Sequence, residues 1–410
     1  MAESGMVIIG AGEAGARAAV ELRARGWPGT ITIVGEEKWG PYERPPLSKR
    51  QLLADDEQTP VHILREEMLV EHNIRLLTGR PAVHNDRSGH FVEMADGSRL
   101  RYERLLLATG ARPRKLPITG PVGEKLIYLR TFDDALNLRP RLAAGRRIAV
   151  IGGGFIGLEV AATAVERGCA VTLIEIGPRI LMRAVPSEIA ALMEARHRAA
   201  GVTFKLGAGL ERIAETADGF ELLLADQTVV RCDEVVIGIG AVPETTLAAE
   251  CGLEIENGVK ADERLATSDP AIFAAGDCCS FPHVRYGGRR IRLEAWRNAQ
   301  DQGIHAAANM LGANEPYRAI PWFWSDQYDL TLQVAGLPEF GVSAAVRELG
   351  GSAKLMFHLE EDGTLAAVSG IGPSSAIAKE VRIGEKLVER RASIDAVRLA
   401  DPGVKLKSLL

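Results

Sequence analysis

Apolar residues recur along the chain in a fixed order: a short continuous run, a glycine cluster, a stretch with helical spacing, then a second apolar run. The order first appears in "MVIIGAGEAGARAAVELRARGWPGTITIVGEE", residues 6–37. Met6–Ile9 is short and wholly apolar, which predicts a buried strand. The spacing that follows predicts a helix from about Ala14 to Arg25, closed by Gly26, with a second strand over Thr30–Val34. The same order returns in "IAVIGGGFIGLEVAATAVERGCAVTLIE", residues 148–175, where Gly168 closes the helix. Each copy is followed by an alternating stretch and another apolar run. "FVEMADGSRLRYERLLLATG" predicts a hairpin with an Asp-Gly turn and a buried strand over Leu105–Ala108 that ends at Gly110. "FELLLADQTVVRCDEVVIGIG" supplies the counterpart after the second copy. Five shared elements make two copies of one α/β nucleotide-binding unit, each too large to be a solenoid repeat.

Past Gly240 comes "FAAGDCCSF", then an expected hairpin around Gly287-Gly288 and a helix containing Asn298–Leu311. From about Ile320 the pattern changes to short strands, with a Glu-Asp-Gly turn near Asp362 and a late helix from about Ser375 to Arg390. That reads as a separate α+β domain. Proline-rich stretches over 112–121 and 316–321 mark boundaries. The expected division is a discontinuous first domain of residues 1–113 and 245–319, a second of 114–244, and a C-terminal domain of 320–410.

Composition narrows the function classes. At 410 residues the chain is too long for one ordinary core. Hydrophobic residues at 46% and charged residues at 25% exclude a disordered chain. A net charge of −5 gives no global field toward nucleic acid or an anionic membrane. Apolar runs fall short of a spanning helix, and the first strand begins too early for a leader, so a cytoplasmic location is expected. The five cysteines (Cys169, Cys232, Cys251, Cys278, Cys279) fit neither a disulfide framework nor a zinc site, and none precedes residue 169.

The glycine turns carry the chemistry. In the first, Gly10 permits the tight turn, Gly12 lets a pyrophosphate approach the backbone, and Gly15 lets helix and strand pack closely. Glu36 follows at the position that accepts hydrogen bonds from ribose hydroxyls. Gly152, Gly154, Gly157 and Glu175 repeat the set. A carboxylate at position 175 favours a free 2′-hydroxyl, hence NADH over NADPH, with Arg179 and Arg183 downstream able to soften the preference. Two adjacent dinucleotide sites point to electron traffic between a held dinucleotide and an exchanging one.

"LLLATGARP" (105–113) and "IFAAGDCCS" (272–280) resemble the second and third FAD motifs of two-dinucleotide-domain, glutathione-reductase-like flavoproteins. Disulfide reductases of that group carry redox cysteines soon after the first module, where this chain has "YERPPLSKR" (42–50) and no sulfur. "RPPLSK", "YLRT" (128–131), "GIG-x-x-P" (238–243), "EAWRNAQDQG" (294–303) and "PWFWSDQ" (321–327) together resemble the FAD-dependent ferredoxin reductases of oxygenase systems, the putidaredoxin reductase and biphenyl dioxygenase ferredoxin reductase-like family. The resemblance implies FAD on the first module and NADH on the second. It implies FAD contacts at Gly10, Gly12, Ala14, Gly15, Glu36, Arg44, Lys49, Ala82, Ala108, Thr109, Gly110, Arg130, Gly276, Asp277, Glu294 and Trp296. NAD contacts are implied at Gly152, Gly154, Ile156, Gly157, Glu159, Glu175 and Gly240. Asp277 would hold the ribityl chain, and Lys49, paired with Glu159, would lie near the flavin N5. Trp296 and Trp324 would pack at the flavin and nicotinamide, while Cys278 and Cys279 are expected to be structural.

The implied reaction passes hydride from NADH to FAD, then single electrons to a [2Fe–2S] ferredoxin that feeds a monooxygenase or dioxygenase. The chain lacks the cysteine set to hold such a cluster itself. Residues 283–297 carry a local +4 (Arg285, Arg289, Arg290, Arg292 and Arg297 against Glu294), and residues 379–410 a local +3. Either stretch could receive an acidic ferredoxin or be ordinary solvated surface. Other readings are a rubredoxin reductase, an NADH oxidase or peroxidase, and a redox-sensing flavoprotein of the apoptosis-inducing-factor type.

Overall fold

The computed structural model describes residues 4–54, 56, 58–182 and 184–410. Arg183 lies outside the described residues. The chain divides into two compact units: residues 1–43, 59–112 and 242–319, and residues 44–58, 113–241 and 320–410.

The first unit is built on a sheet whose parallel part runs Arg75–Leu77, Ile31–Val34, Gly5–Ile9, Arg99–Leu107, Ile272–Ala274. All residues of Gly5–Ile9 and Ile31–Val34 are buried, as expected for strands covered on both faces. The strand Arg99–Leu107 does two jobs. Its first residues pair antiparallel with Phe91–Met94 across the Asp96-Gly97 turn, and its last pair parallel with Gly5–Ile9 and Ile272–Ala274. The hairpin arm and buried strand expected from sequence are therefore one continuous element. Helix Glu13–Ala24 covers the sheet and packs on helix Trp296–Met310, the helix expected to contain Asn298–Leu311. Gly303 makes that packing close, because a Cβ there would collide with the Ala14 carbonyl.

The second unit repeats the parallel core in the order Thr203–Leu206, Ala170–Glu175, Arg147–Ile151, Glu234–Ile237, Ile127–Tyr128. Here the alternating stretch forms its own antiparallel sheet of Leu210–Thr216, Gly219–Leu224 and Val229–Cys232. The same unit contains a five-stranded antiparallel sheet ordered Trp322–Gln327, Leu330–Gly336, Leu365–Gly372, Ala353–Leu359, Ser343–Gly350. Helix Ser374–Glu389 lies on that sheet and buries Ile377, Val381, Leu387 and Val388 against it. Its apolar residues recur every three to four positions, the spacing of a single buried face. Among the described residues no helix is long and apolar enough to cross a membrane.

Candidate functional site

The two glycine turns match bond for bond. Gly10 N–H donates to the Val34 carbonyl at 2.8 Å, and Gly152 N–H donates to the Ile174 carbonyl at 2.8 Å. Gly10 and Gly152 have φ of +120° and +108°, where a side chain would strain the backbone and strike the carbonyls of Ala108 and Gly238. A Cβ on Gly15 would strike the Gly10 carbonyl, and one on Gly157 the Gly152 carbonyl, so each helix can lie against its own turn only as glycine. The helices Glu13–Ala24 and Phe155–Glu166 start at Gly12 and Gly154 without a capping side chain. Their first N–H groups, with the partial positive charge of a helix N-terminus, remain directed at whatever lies beyond the turn. No neighbouring atom lies within 4 Å of a Cβ built on Gly12, so the backbone there is open to a close anionic ligand. Both turns fit a pyrophosphate.

The acids that follow differ. Glu175 ends its strand, and its carboxylate accepts from Gly153 N–H at 2.6 Å and Gly177 N–H at 2.7 Å. It braces the second turn while keeping lone pairs for ribose hydroxyls. Glu36 stands exposed just past Ile31–Val34. Arg179 turns to the backbone, donating to the carbonyls of Ile180, Leu181, Met182 and Val185.

In the first unit several predicted residues converge on the first turn. Gly276 has φ +80°, and a Cβ there would stand 3.2 Å from the Ala14 Cβ. Its N–H donates to Gln302 on helix Trp296–Met310 at 2.8 Å. Arg292 donates to the Asp277 carbonyl at 3.1 Å and to Glu294 at 2.7 Å, tying those two candidates together. Trp296 opens its helix and donates from Nε1 to Glu43 at 2.5 Å. Glu13, in the first turn, accepts from Arg17 at 2.7 Å, and burial pushes its carboxyl above the ordinary value. Ala108, Thr109 and Gly110 follow the strand Arg99–Leu107, with the Thr109 hydroxyl donating to the Glu244 carbonyl at 2.6 Å. Ala82 opens the strand Ala82–Asp86.

Arg44, Lys49 and Arg130, expected with the flavin set, belong to the second unit with Glu159. Arg44 donates to the Arg130 carbonyl at 2.7 Å. Lys49 Nζ lies 2.8 Å from Glu159 Oε1. Glu159 is only 5% exposed, and also accepts from the hydroxyls of Ser48 at 2.5 Å and Ser325 at 2.6 Å. Thr163, one turn further along the same helix, donates to the Ser48 carbonyl at 2.8 Å and fixes that loop. Ile156, beside the second turn, is 45% exposed, an apolar surface next to the proposed NAD positions. Gly240 has φ +103° and accepts from Arg114 N–H at 2.9 Å. Trp324 stacks on Trp322 at 5.3 Å and donates to Asp326.

Glu43, Ser48 and Ser325 were not among the residues singled out from sequence. For Ser325 a signal existed: in "PWFWSDQ" strand alternation places Phe323, Ser325 and Gln327 on one side, and two of the three are polar. Both are buried.

The five cysteines are free. Desolvation raises every one of their pKa values, Cys232 to about 12 and Cys279 well above its ordinary value. Of the arginines over 285–297, Arg285 is buried, Arg290 pairs with Glu256 at 3.4 Å, Arg292 with Glu294, and Arg297 with Asp301 at 3.6 Å. All eight lysines and arginines over 379–410 are exposed.

Comparison with known proteins matches residues 4–303 to the family described as pyridine nucleotide-disulphide oxidoreductase, and residues 322–410 to one described as reductase C-terminal. The anthranilate 1,2-dioxygenase system ferredoxin–NAD(+) reductase component of Burkholderia cepacia is 39% identical, over 100% of both chains. A ferredoxin reductase structure from Rhodopseudomonas palustris aligns with TM-score 0.92 at 36% identity, covering 98% of this chain and 99% of the other. The covalent putidaredoxin reductase–putidaredoxin complex aligns with TM-score 0.92 at 36% identity, over 100% of this chain and 98% of the other.

Proposed function

Since the chain belongs to the pyridine nucleotide-disulphide oxidoreductase family, we propose that it is a cytoplasmic, FAD-dependent NADH:ferredoxin oxidoreductase serving an oxygenase. The observation that carries this reading is the Lys49–Glu159 pair in a chain whose "YERPPLSKR" segment holds no sulfur. A thiol relay needs a thiolate, and desolvation keeps the five thiols of this chain protonated at neutral pH. FAD, when bound, takes a hydride from NADH and releases the electrons singly to a one-electron carrier.

The residues divide the work. Gly10, Gly12, Ala14 and Gly15 would hold the flavin dinucleotide's pyrophosphate, with Glu36 for its ribose and Asp277 for its ribityl chain. Ala82, Ala108, Thr109, Gly110, Arg44, Arg130, Gly276 and Glu294 would complete that set, and Trp296, anchored by Glu43, would pack against the flavin. Gly152, Gly154, Ile156, Gly157, Glu175 and Gly240 would hold and orient NADH. Lys49 would supply a fixed cation that steadies negative charge on the reduced cofactor, with Glu159 keeping it in place. Hydride transfer asks mainly for orientation, which turns of this rigidity provide. The division into residues 1–113 with 245–319, 114–244 and 320–410 is retained as the functional one; the antiparallel sheet and separate core of the last part support it. An acidic ferredoxin would dock on the exposed basic stretch over 379–410 in preference to 285–297, whose arginines are largely engaged.

The test is anaerobic titration of the yellow holoprotein with NADH, followed by addition of a [2Fe–2S] ferredoxin. Bleaching by NADH and ferredoxin-dependent cytochrome c reduction are expected. In a separate aerobic assay, rapid NADH consumption without any protein acceptor would instead support an oxidase, and reduction of rubredoxin alone a rubredoxin reductase.

A further inference from the structure

Behind Glu159 runs a line of buried polar side chains that the reaction above does not use. Ser325 donates to Glu159 Oε1 at 2.6 Å. Gln327 Nε2 donates to the Ser325 hydroxyl at 2.9 Å. Gln327 Oε1 stands 2.6 Å from His197 Nε2. His197 Nδ1 stands 3.3 Å from the Tyr328 hydroxyl. Ser325 and His197 are 0% exposed, and Gln327 is 2% exposed. The line joins helix Ser187–Ala199 and strand Trp322–Gln327 to helix Phe155–Glu166.

Donor and acceptor counting fixes the sense of this line. An ionised Glu159 can only accept, so the single hydroxyl hydrogen of Ser325 must point at it. The Ser325 oxygen then has to accept from the Gln327 amide nitrogen, which turns the Gln327 oxygen toward His197. His197 must present an N–H at Nε2, and its bare Nδ1 accepts from Tyr328. Each link has one consistent direction, and every polar atom in the set finds a partner. Apolar residues would fill the same space without these desolvation costs, so the retained polar groups do something packing alone would not. Burial lowers the pKa of His197, which keeps the ring neutral as the line requires. Arg196, paired with Asp329 and lying over the Tyr328 ring, adds a cation that also disfavours a charged imidazole.

We propose that Ser325, Gln327 and His197 are positioning residues for the redox centre: a one-way hydrogen-bond line that holds the Glu159 carboxylate oriented, and through it fixes Lys49. The proposal rests on the role given to Lys49 above. The reductase C-terminal domain would thereby act on hydride transfer, since it supplies Ser325 and Gln327.

Two measurements on the holoprotein test it. In stopped-flow reduction by NADH, Ser325→Ala should lower the limiting rate of flavin reduction about tenfold, the scale of one charge-assisted hydrogen bond, and Gln327→Leu, which removes only the neutral bonds behind it, should lower it less. The apparent affinity for NADH should change little, and Ser325→Thr should restore the rate. Yellow, folded variants that reduce at the wild-type rate would overturn the proposal. Independently, nitrogen NMR of the histidines, with His197 assigned through His197→Gln, should show the Nε2–H tautomer in the wild type. An Nδ1–H tautomer or an imidazolium there would overturn it without any appeal to kinetics. If wild-type flavin is not reduced by NADH at all, the functional reading falls, and the tautomer still decides whether the line exists.

Discussion

Lys49 Nζ sits 2.8 Å from Glu159 Oε1, an ion pair in which the carboxylate side chain is 6% exposed and the lysine 26%. The acid is thus deeply desolvated, and its cation retains an open side. Removing Lys49 leaves a buried carboxylate with hydroxyl donors only. Breaking a fully buried pair from one side costs about 3–5 kcal/mol, and less here because the Lys49 side chain is 26% exposed. Lys49→Ala should therefore lower the melting temperature and slow flavin reduction by roughly one to two orders of magnitude. Glu159→Gln should disturb stability less, since the amide needs no counter-charge. Stopped-flow and thermal unfolding of the two variants check the order.

Glu175 does two things at once, since its carboxylate also braces Gly153 and Gly177. Glu175→Arg should shift the ratio of kcat/KM values toward NADPH while weakening binding of both nucleotides, because the turn loses its brace. Glu175→Gln keeps one carbonyl oxygen for the turn and should show the milder loss. An unchanged ratio in Glu175→Arg would remove this residue from the ribose site.

Turnover should be indifferent to thiol reagents. Burial raises the pKa of all five cysteines, so little thiolate is present near neutrality. Alkylation with N-ethylmaleimide should leave ferredoxin reduction intact, with half-buried Cys251 labelled before the other four. Loss of activity on labelling would reinstate a thiol mechanism.

His358 offers a pH readout in the C-terminal domain. Burial depresses its pKa from 6.5 to about 4, and its Nε2 lies 3.0 Å from the Ser369 hydroxyl. The unfolded chain therefore binds the proton that the folded chain refuses. The stabilisation is complete above pH 6.5 and is lost as pH falls toward 4, by about 3 kcal/mol in all. Denaturant unfolding across that window should show the wild type losing stability relative to His358→Gln by about 3 kcal/mol between pH 6.5 and 4.

The exposed bases over 379–410 predict salt-sensitive docking. Arg382→Glu with Lys386→Glu, both on helix Ser374–Glu389, should raise the KM for ferredoxin about tenfold at low ionic strength. Reduction of ferricyanide by NADH should be unaffected, because that acceptor needs no protein surface.

What could be read from the residues alone was whatever is local. Gly10 with Gly15 and Gly152 with Gly157 announce themselves because turn, helix start and strand end lie within a few positions, and the required conformations admit only glycine. The hairpins and the helix Ser374–Glu389 were legible from period alone. Contacts between distant segments were not. The Trp296–Glu43 hydrogen bond spans 253 positions, and Ser325–Glu159 spans 166. Nothing in their neighbourhoods selects one partner over another until the sheets form. The charge count over 285–297 was legible too, but it could not show that Arg285 would be buried and three of its neighbours paired.

The strand Arg99–Leu107 pairs parallel with both Gly5–Ile9 and Ile272–Ala274. A ribosome releases Gly5–Ile9 and Arg99–Leu107 before the second glycine module, and Ile272–Ala274 only after that module has emerged. The sheet made before the second module is therefore the one that must wait, with an open edge beside Leu105–Leu107, while residues 113–241 collapse in the interval. Newly made chains should be most vulnerable to edge-to-edge association in that interval, and a truncation just short of Ile272 should trap it.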